Sequence, residues 1–244
     1  MATSGTTTFS VSVQTVVEDA LQNIGVLGIG STLKAEDSEL AIRKLNMLVK
    51  QWVGQADFAP GLKMWTRKRA YLTLVAATSA YEVPGDAALD EDGVTDMRRP
   101  FEIVSASLRD TDGKDQPIDH TMTVQEYEQI GEKSATGTPA RFYFEPRRTT
   151  SRIFLDCVPD DVTKTIRLVY LSYIEDLTDL SEDVDLPAEW FRPASAQLSI
   201  DLCSAYGKPV SPELKMMRDE SLAIARNAYP EKSTAGFYSE PDDY

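Results

Sequence analysis

Apolar residues recur with a helical period at the start of the chain. Val13, Val16, Val17, Ala20, Leu21 and Ile24 fall at i, i+3, i+4, i+7, i+8 and i+11, one face at 3.6 residues per turn. Ser12 is placed to accept from the first free N–H groups, and Gly25 to end the helix in the left-handed conformation. A second helix is predicted from near Lys34. Glu36, Asp37 and Glu39 sit in its first turns, where the helix dipole favours acids. Ala41, Leu45, Leu48, Val49 and Trp52 form its apolar stripe, and Gly54 to Gly61 ends it. The short loop between the two predicts an antiparallel helical hairpin.

The period changes after Met64. Up to Tyr173 the chain is rich in β-branched and aromatic residues between turn signals. "RAYLTLVAA" and "SAYEVP" read as two strands around a short turn. "FEIVSASLRD" is a strand running into Asp112-Gly113, a strong hairpin signal. "ARFYFEP" and "SRIFLDCVP" flank a turn at "RRTT", and "TIRLVYLSYI" is the last and most apolar strand. Thr123 and Glu126 have the spacing of a capping box, so one short helix interrupts the strands.

From Glu175 to Glu189 acids accumulate without a single base, as expected of an exposed, solvated linker. Helical texture then returns, with Pro187 or Pro193 as a first-turn proline. Phe191, Ala194, Leu198, Leu202 and Ala205 share a face, and Gly207 ends that helix. Ser211-Pro212 opens a last helix, lined by Leu214, Met217, Ile224, Ala225 and Ala228 and closed by Pro230. Neither helical pair alone buries much apolar surface. An α+β fold is therefore expected, with a four-helix core from the N- and C-terminal helix pairs (1–62 and 187–230). Inserted in it is a small antiparallel β domain (63–186) ending in the acidic linker. An extended C-terminal tail follows (231–244). The tail is too polar to bury a core of its own, so it is expected to be disordered in isolation and ordered by a partner.

Composition narrows the function. Hydrophobic residues make up 42% and charged residues 26% of the 244, a soluble globular balance. No apolar run reaches the ~20 residues of a membrane helix. "MATSGTTTFSVSV" lacks the basic start and apolar core of a signal peptide, so an unprocessed intracellular product without a membrane partner is expected. The net charge of −14 disfavours tight wrapping of nucleic acid, which needs clustered cations, though not DNA passing nearby.

Candidate chemistry is sparse. Cys157 and Cys203 are expected to be buried free thiols, because His120 is the single histidine available to either. The same shortage argues against a zinc site, and no metal or cofactor is expected. "GVLGIGS" follows a helix rather than a strand and lacks the Gly-Lys-Ser/Thr of a phosphate loop. "RDTDGKDQPID" misses calcium-loop spacing and reads as a hairpin tip. With 39 acidic residues, no pair can be singled out for glycoside hydrolysis. Arg67, Lys68 and Arg69 precede the first strand, and Arg98-Arg99 and Arg147-Arg148 lie at turns. They serve solubility and edge protection, or they dock on acidic surface of a neighbouring subunit such as the Glu175–Glu189 run. Trp52, Trp65 and Trp190 are expected in the core or at a domain junction.

Four stretches occur in one order: "ALQNIGVLGIGSTLKAEDSELAIRKLNMLVKQW", "YLTLVAATSAYEVP", "PIDHTMTVQEYEQIGEKSATGTPARFYFEP" and "DVDLPAEWFRPASAQLSIDLCSAYG". Together, from about residue 13 to 230, they resemble the head-to-tail adaptors of tailed bacteriophages, also called connectors or tail accessory factors. Phe191-Arg192-Pro193 departs from the uninterrupted helix of that pattern. The resemblance implies a structural protein without catalysis in the virion neck, assembled in the host cytoplasm. It implies a ring of identical subunits, usually twelve, beneath the portal protein. A helical core would face the channel through which packaged DNA passes without sequence-specific binding, and the ring would offer a docking surface to tail or nozzle proteins. In related adaptors the C-terminal segment reaches onto the portal, which makes Phe237, Tyr238 and Tyr244 the expected portal anchors. A virion enzyme that cleaves cell-wall glycan is the alternative.

Overall fold

The computed structural model describes residues 5, 9–54, 67–85, 88–91, 97–118 and 120–228. The chain divides into two compact units, Met1–Met64 with Ile174–Tyr244, and Trp65–Tyr173. The four longer helices fall in the first unit and the sheets, with one short helix, in the second, so the fold is α+β.

The helical unit begins with α1 (Val13–Asn23). Its Ser12 hydroxyl accepts from the Thr15 N–H at 3.3 Å. Its end is a Schellman turn: Gly25 has φ 66°, Val26 N–H donates to Leu21 C=O at 3.0 Å, and Gly25 N–H to Gln22 C=O at 2.9 Å. α2 (Ala35–Gly54) buries Ala41, Leu45, Leu48, Val49 and Trp52, the predicted stripe. α4 (Ala188–Ala205) packs against α1, α2 and α5 (Pro212–Asn227). Buried residues surround most of α4, among them Trp190, Ala194, Leu198, Leu202 and Cys203.

Two details differ from the expected pattern. Pro187 caps α4 and Pro193 lies inside it. At that position, in the second turn, the proline removes the bond that a donor there would make to Glu189 C=O, and its ring is buried. In α5 the Ser211 cap and first-turn Pro212 form as read, but Ile224 is 68% exposed although its spacing groups it with the buried Leu214 and Ala225.

The β unit holds two larger sheets over one core, and a separate two-stranded sheet. The first has five strands in the order β3-β1-β11-β4-β5: Ala88–Asp90, Arg67–Thr73, Thr165–Ser172, Pro100–Arg109 and Asp115–Ile118. The second has four in the order β2-β9-β8-β6: Ala80–Val83, Ser151–Leu155, Arg141–Pro146 and His120–Met122. Leu72, Leu108, Ile166 and Leu168 of the first sheet share one apolar cluster with Tyr81, Phe142, Ile153 and Leu155 of the second. In β11 burial alternates residue by residue, as a strand with one buried face requires. In β4 a bulge at Val104 skips one residue, which keeps Ile103 and Ala106 facing the core.

The β4–β5 hairpin turns at Gly113 (φ 81°), and β8 and β9 close through Arg147 N–H on Thr150 C=O at 3.0 Å. α3 (Val124–Glu128) carries the capping box in full: Thr123 and Glu126 each accept the other's backbone N–H. Three expectations change. β1 and β2, read as neighbours around one turn, enter different sheets: β1 pairs with β11 and β3, β2 with β9. The sheets are largely antiparallel, but β6 runs parallel to β8, and the short β7 (Thr136–Gly137) parallel to β10 (Val158–Pro159). The acidic stretch after Tyr173 belongs with the helices rather than with the end of the β domain.

Candidate interaction surfaces

The basic positions, far apart in sequence, gather at one end of the β unit. Arg67 is in register with Leu171, and Pro100 with Ser172, so β1 and β4 both begin where β11 ends. The Arg99 guanidinium donates to the Arg147 carbonyl, which brings the β8–β9 turn to the same end. The Tyr173 ring lies under Arg99, 4.5 Å from its guanidinium carbon, with the Phe101 ring edge-on at 5.5 Å.

Three of these cations already have acids. Lys68 reaches Asp90 at 3.5 Å, Arg69 reaches Glu91 at 3.3 Å, and Arg147 reaches Glu145 at 2.7 Å. Arg67, Lys68, Arg69, Asp90 and Glu91 line an open depression of about 670 Å³ whose charges largely cancel. Asp90 also accepts from the buried Tyr170 hydroxyl at 2.6 Å. Burial and then Asp90 push that hydroxyl well above its ordinary range, so it stays protonated. Arg148 is different: it is exposed at the turn and has no partner among the described residues.

The Glu175–Glu189 run is not a free solvated loop. Asn46 and Lys50 hold its backbone at Leu177 and Ile174. Val13 and Gln14 donate to Glu182 and Leu180 carbonyls, and Val184 N–H donates to Val11. Ile174, Leu177, Val184 and Leu186 are buried. Several of its acids are occupied as well. Asp176 pairs with Lys50 at 2.7 Å, Glu182 accepts from Thr178 and Asp179, and Asp179 accepts from Ser181. Hydrogen bonds from the Thr178 hydroxyl, then from the Thr178 and Asp179 N–H groups, hold Glu182 below the usual carboxylate range.

Burial, with Asp156 and Asp160 beside it, pushes the Cys157 thiol up to about 11, where it is a poor nucleophile at neutral pH. Cys203 is a buried free thiol. Trp52 and Trp190 meet with ring centroids 5.5 Å apart, in the core as read; Trp65 lies outside the described residues. Phe237, Tyr238 and Tyr244 also lie outside them. Among the described residues no helix is long and apolar enough to cross a membrane, and no cluster of three or more His, Cys, Asp or Glu is placed to hold a metal ion.

The periodicity did not single out two features. Tyr127, Tyr143 and Phe154 stack across α3, β8 and β9 at 5.0 to 5.7 Å. A groove runs between α1, α4 and α5, lined by Val16, Phe191 and Met217 and continued to Ile224. An apolar residue left exposed on α5 is the feature that marks it.

The SU10 adaptor protein family model matches residues 12–222, which takes in both units. The chain belongs to that family of phage head-to-tail adaptors. No curated protein matches it. An adaptor is a structural kind of virion protein that associates with phage portal and tail proteins.

Proposed function

We propose that the adaptor forms a ring beneath the portal, joins it to the tail and helps retain the packaged genome. The family match across both units carries this reading. The helical unit, read as a four-helix core, would face the channel. The net charge of −14 suits a conduit that must let DNA pass without holding it. Twelve copies would match a twelve-fold portal.

Residues 231–244 would reach the portal, with Phe237, Tyr238 and Tyr244 as anchors, because aromatic side chains contribute large contact area for few frozen torsions. Arg67, Lys68, Arg69, Arg147 and Arg148 would lie at the contact between neighbouring subunits. Mixing the purified protein with its portal and imaging the complex, with and without residues 231–244, tests the reading. The expected result is a ring on the portal that the truncation weakens or abolishes. Full-length protein that does not bind the portal overturns the function, and normal docking of the truncated protein overturns the role of the tail.

A further inference from the structure

The groove between α1, α4 and α5 has an apolar floor and an acidic rim. Its two cavities, of about 390 and 290 Å³, both touch Ala188, Arg192 and Met217, so they form one continuous channel. Phe9 at its mouth is 70% exposed, its ring 5.9 Å from Phe191, and Ile224 at the other end is 68% exposed. An apolar strip of this kind on a soluble chain marks a contact surface. Asp19 and Glu220 stand on the rim without a partner among the described residues. Partial burial, then Glu18, pushes the Asp19 carboxyl above its ordinary value, the response of an acid that lacks a cation. Glu189 also lines the groove, and Arg192 is its one base, so the groove is net acidic.

Charge decides between the occupants this chain could supply. The C-terminal stretch carries Glu231, Glu240, Asp242 and Asp243 against Lys232 alone and would be repelled. The acids of the Glu175–Glu189 run are largely committed within their own chain, which makes that run a poor receptor. Of the described cations that are exposed and without an acid, Lys34, Arg43, Arg192, Lys208 and Lys215 lie on the helical unit that carries the groove, and Arg148, on the β8–β9 turn, is the one the β unit offers as a complement. An arginine suits such a groove: its aliphatic stem lies on the apolar floor while its guanidinium meets the carboxylates.

We propose that this groove seats the β8–β9 turn of a second copy of the chain, with Arg148 directed at Asp19 and Glu220. The contact is heterologous, a turn of one copy into a groove of the next, the type that generates rings when it closes. The inference rests on the proposed adaptor ring and names the acceptor within it.

Charge exchange tests it, read by sedimentation velocity in solution and by imaging on the portal. Arg148→Glu and Glu220→Arg should each weaken association between copies by about tenfold or more, and the double variant should regain it. Both positions are exposed, and Arg148→Gln serves as a milder variant should Arg148→Glu fail to fold. Wild-type association in Arg148→Glu, or no recovery in the double variant, overturns the contact. So does a wild-type protein that binds the portal without touching its neighbours. A wild-type protein that does not bind the portal overturns the function instead.

Discussion

The side-chain amide of Asn46 closes a two-way clasp on the backbone of Leu177: its Oδ1 accepts the Leu177 N–H at 2.9 Å and its Nδ2 donates to the Leu177 carbonyl at 2.8 Å. One helix residue thereby satisfies both polar groups of a residue 131 positions away whose side chain is buried. Asn46→Ala leaves both groups without that partner. Denaturation should show a loss of about 1–3 kcal/mol. Hydrogen exchange should quicken between residues 174 and 186, and unchanged exchange there would refute the clasp.

Trp190 is fully buried against Trp52. Trp190→Ala removes one of the two indoles of that contact and leaves a cavity in the helical core. A loss of about 3–5 kcal/mol is expected by chemical denaturation, with Trp190→Phe losing less.

Asp115 joins Arg109, which it meets at 2.7 Å, to Arg167 at 3.1 Å, and Arg109 also reaches the Tyr71 hydroxyl at 3.3 Å. The Arg109 hydrogen bond chiefly, helped by Arg167, lowers the Asp115 carboxyl from 3.8 to about 2. A depressed folded-state value means that the stabilisation is present above 3.8 and is lost as pH falls through about 2. Carboxyl-carbon NMR should therefore show Asp115 titrating near 2, and Arg109→Gln should move the midpoint back towards 3.8.

Gly25 sits at φ 66° with open space around the position of a Cβ. Gly25→Ala thus meets no neighbour, and its cost is the left-handed backbone itself, about 1–2 kcal/mol by thermal denaturation. Gly25→Asn, which tolerates that conformation better, should cost less.

The local parts of this protein were written in its sequence. The caps at Ser12, Thr123 and Ser211, the turns at Gly25 and Gly113 and the stripe from Ala41 to Trp52 depend on residues within a few positions of one another, where period and turn chemistry act. What tertiary structure decided spans long separations. β1 leaves β2 for β11 because the two sheets must cover each other's apolar faces, and neither strand encodes its partner. The acidic run looks like a solvated linker because its charges are visible in sequence, while Asn46, Lys50 and the buried Leu177 that hold it are not. Ile224 follows the apolar spacing of α5, yet only the packing of α5 on α4 determines that it faces outward. The seven basic residues become one end of the β unit only when β1, β4 and the β8–β9 turn are brought together across some eighty positions. Short-range geometry is set by the chain's own stereochemistry, whereas pairing over such distances is chosen by burial of the shared core.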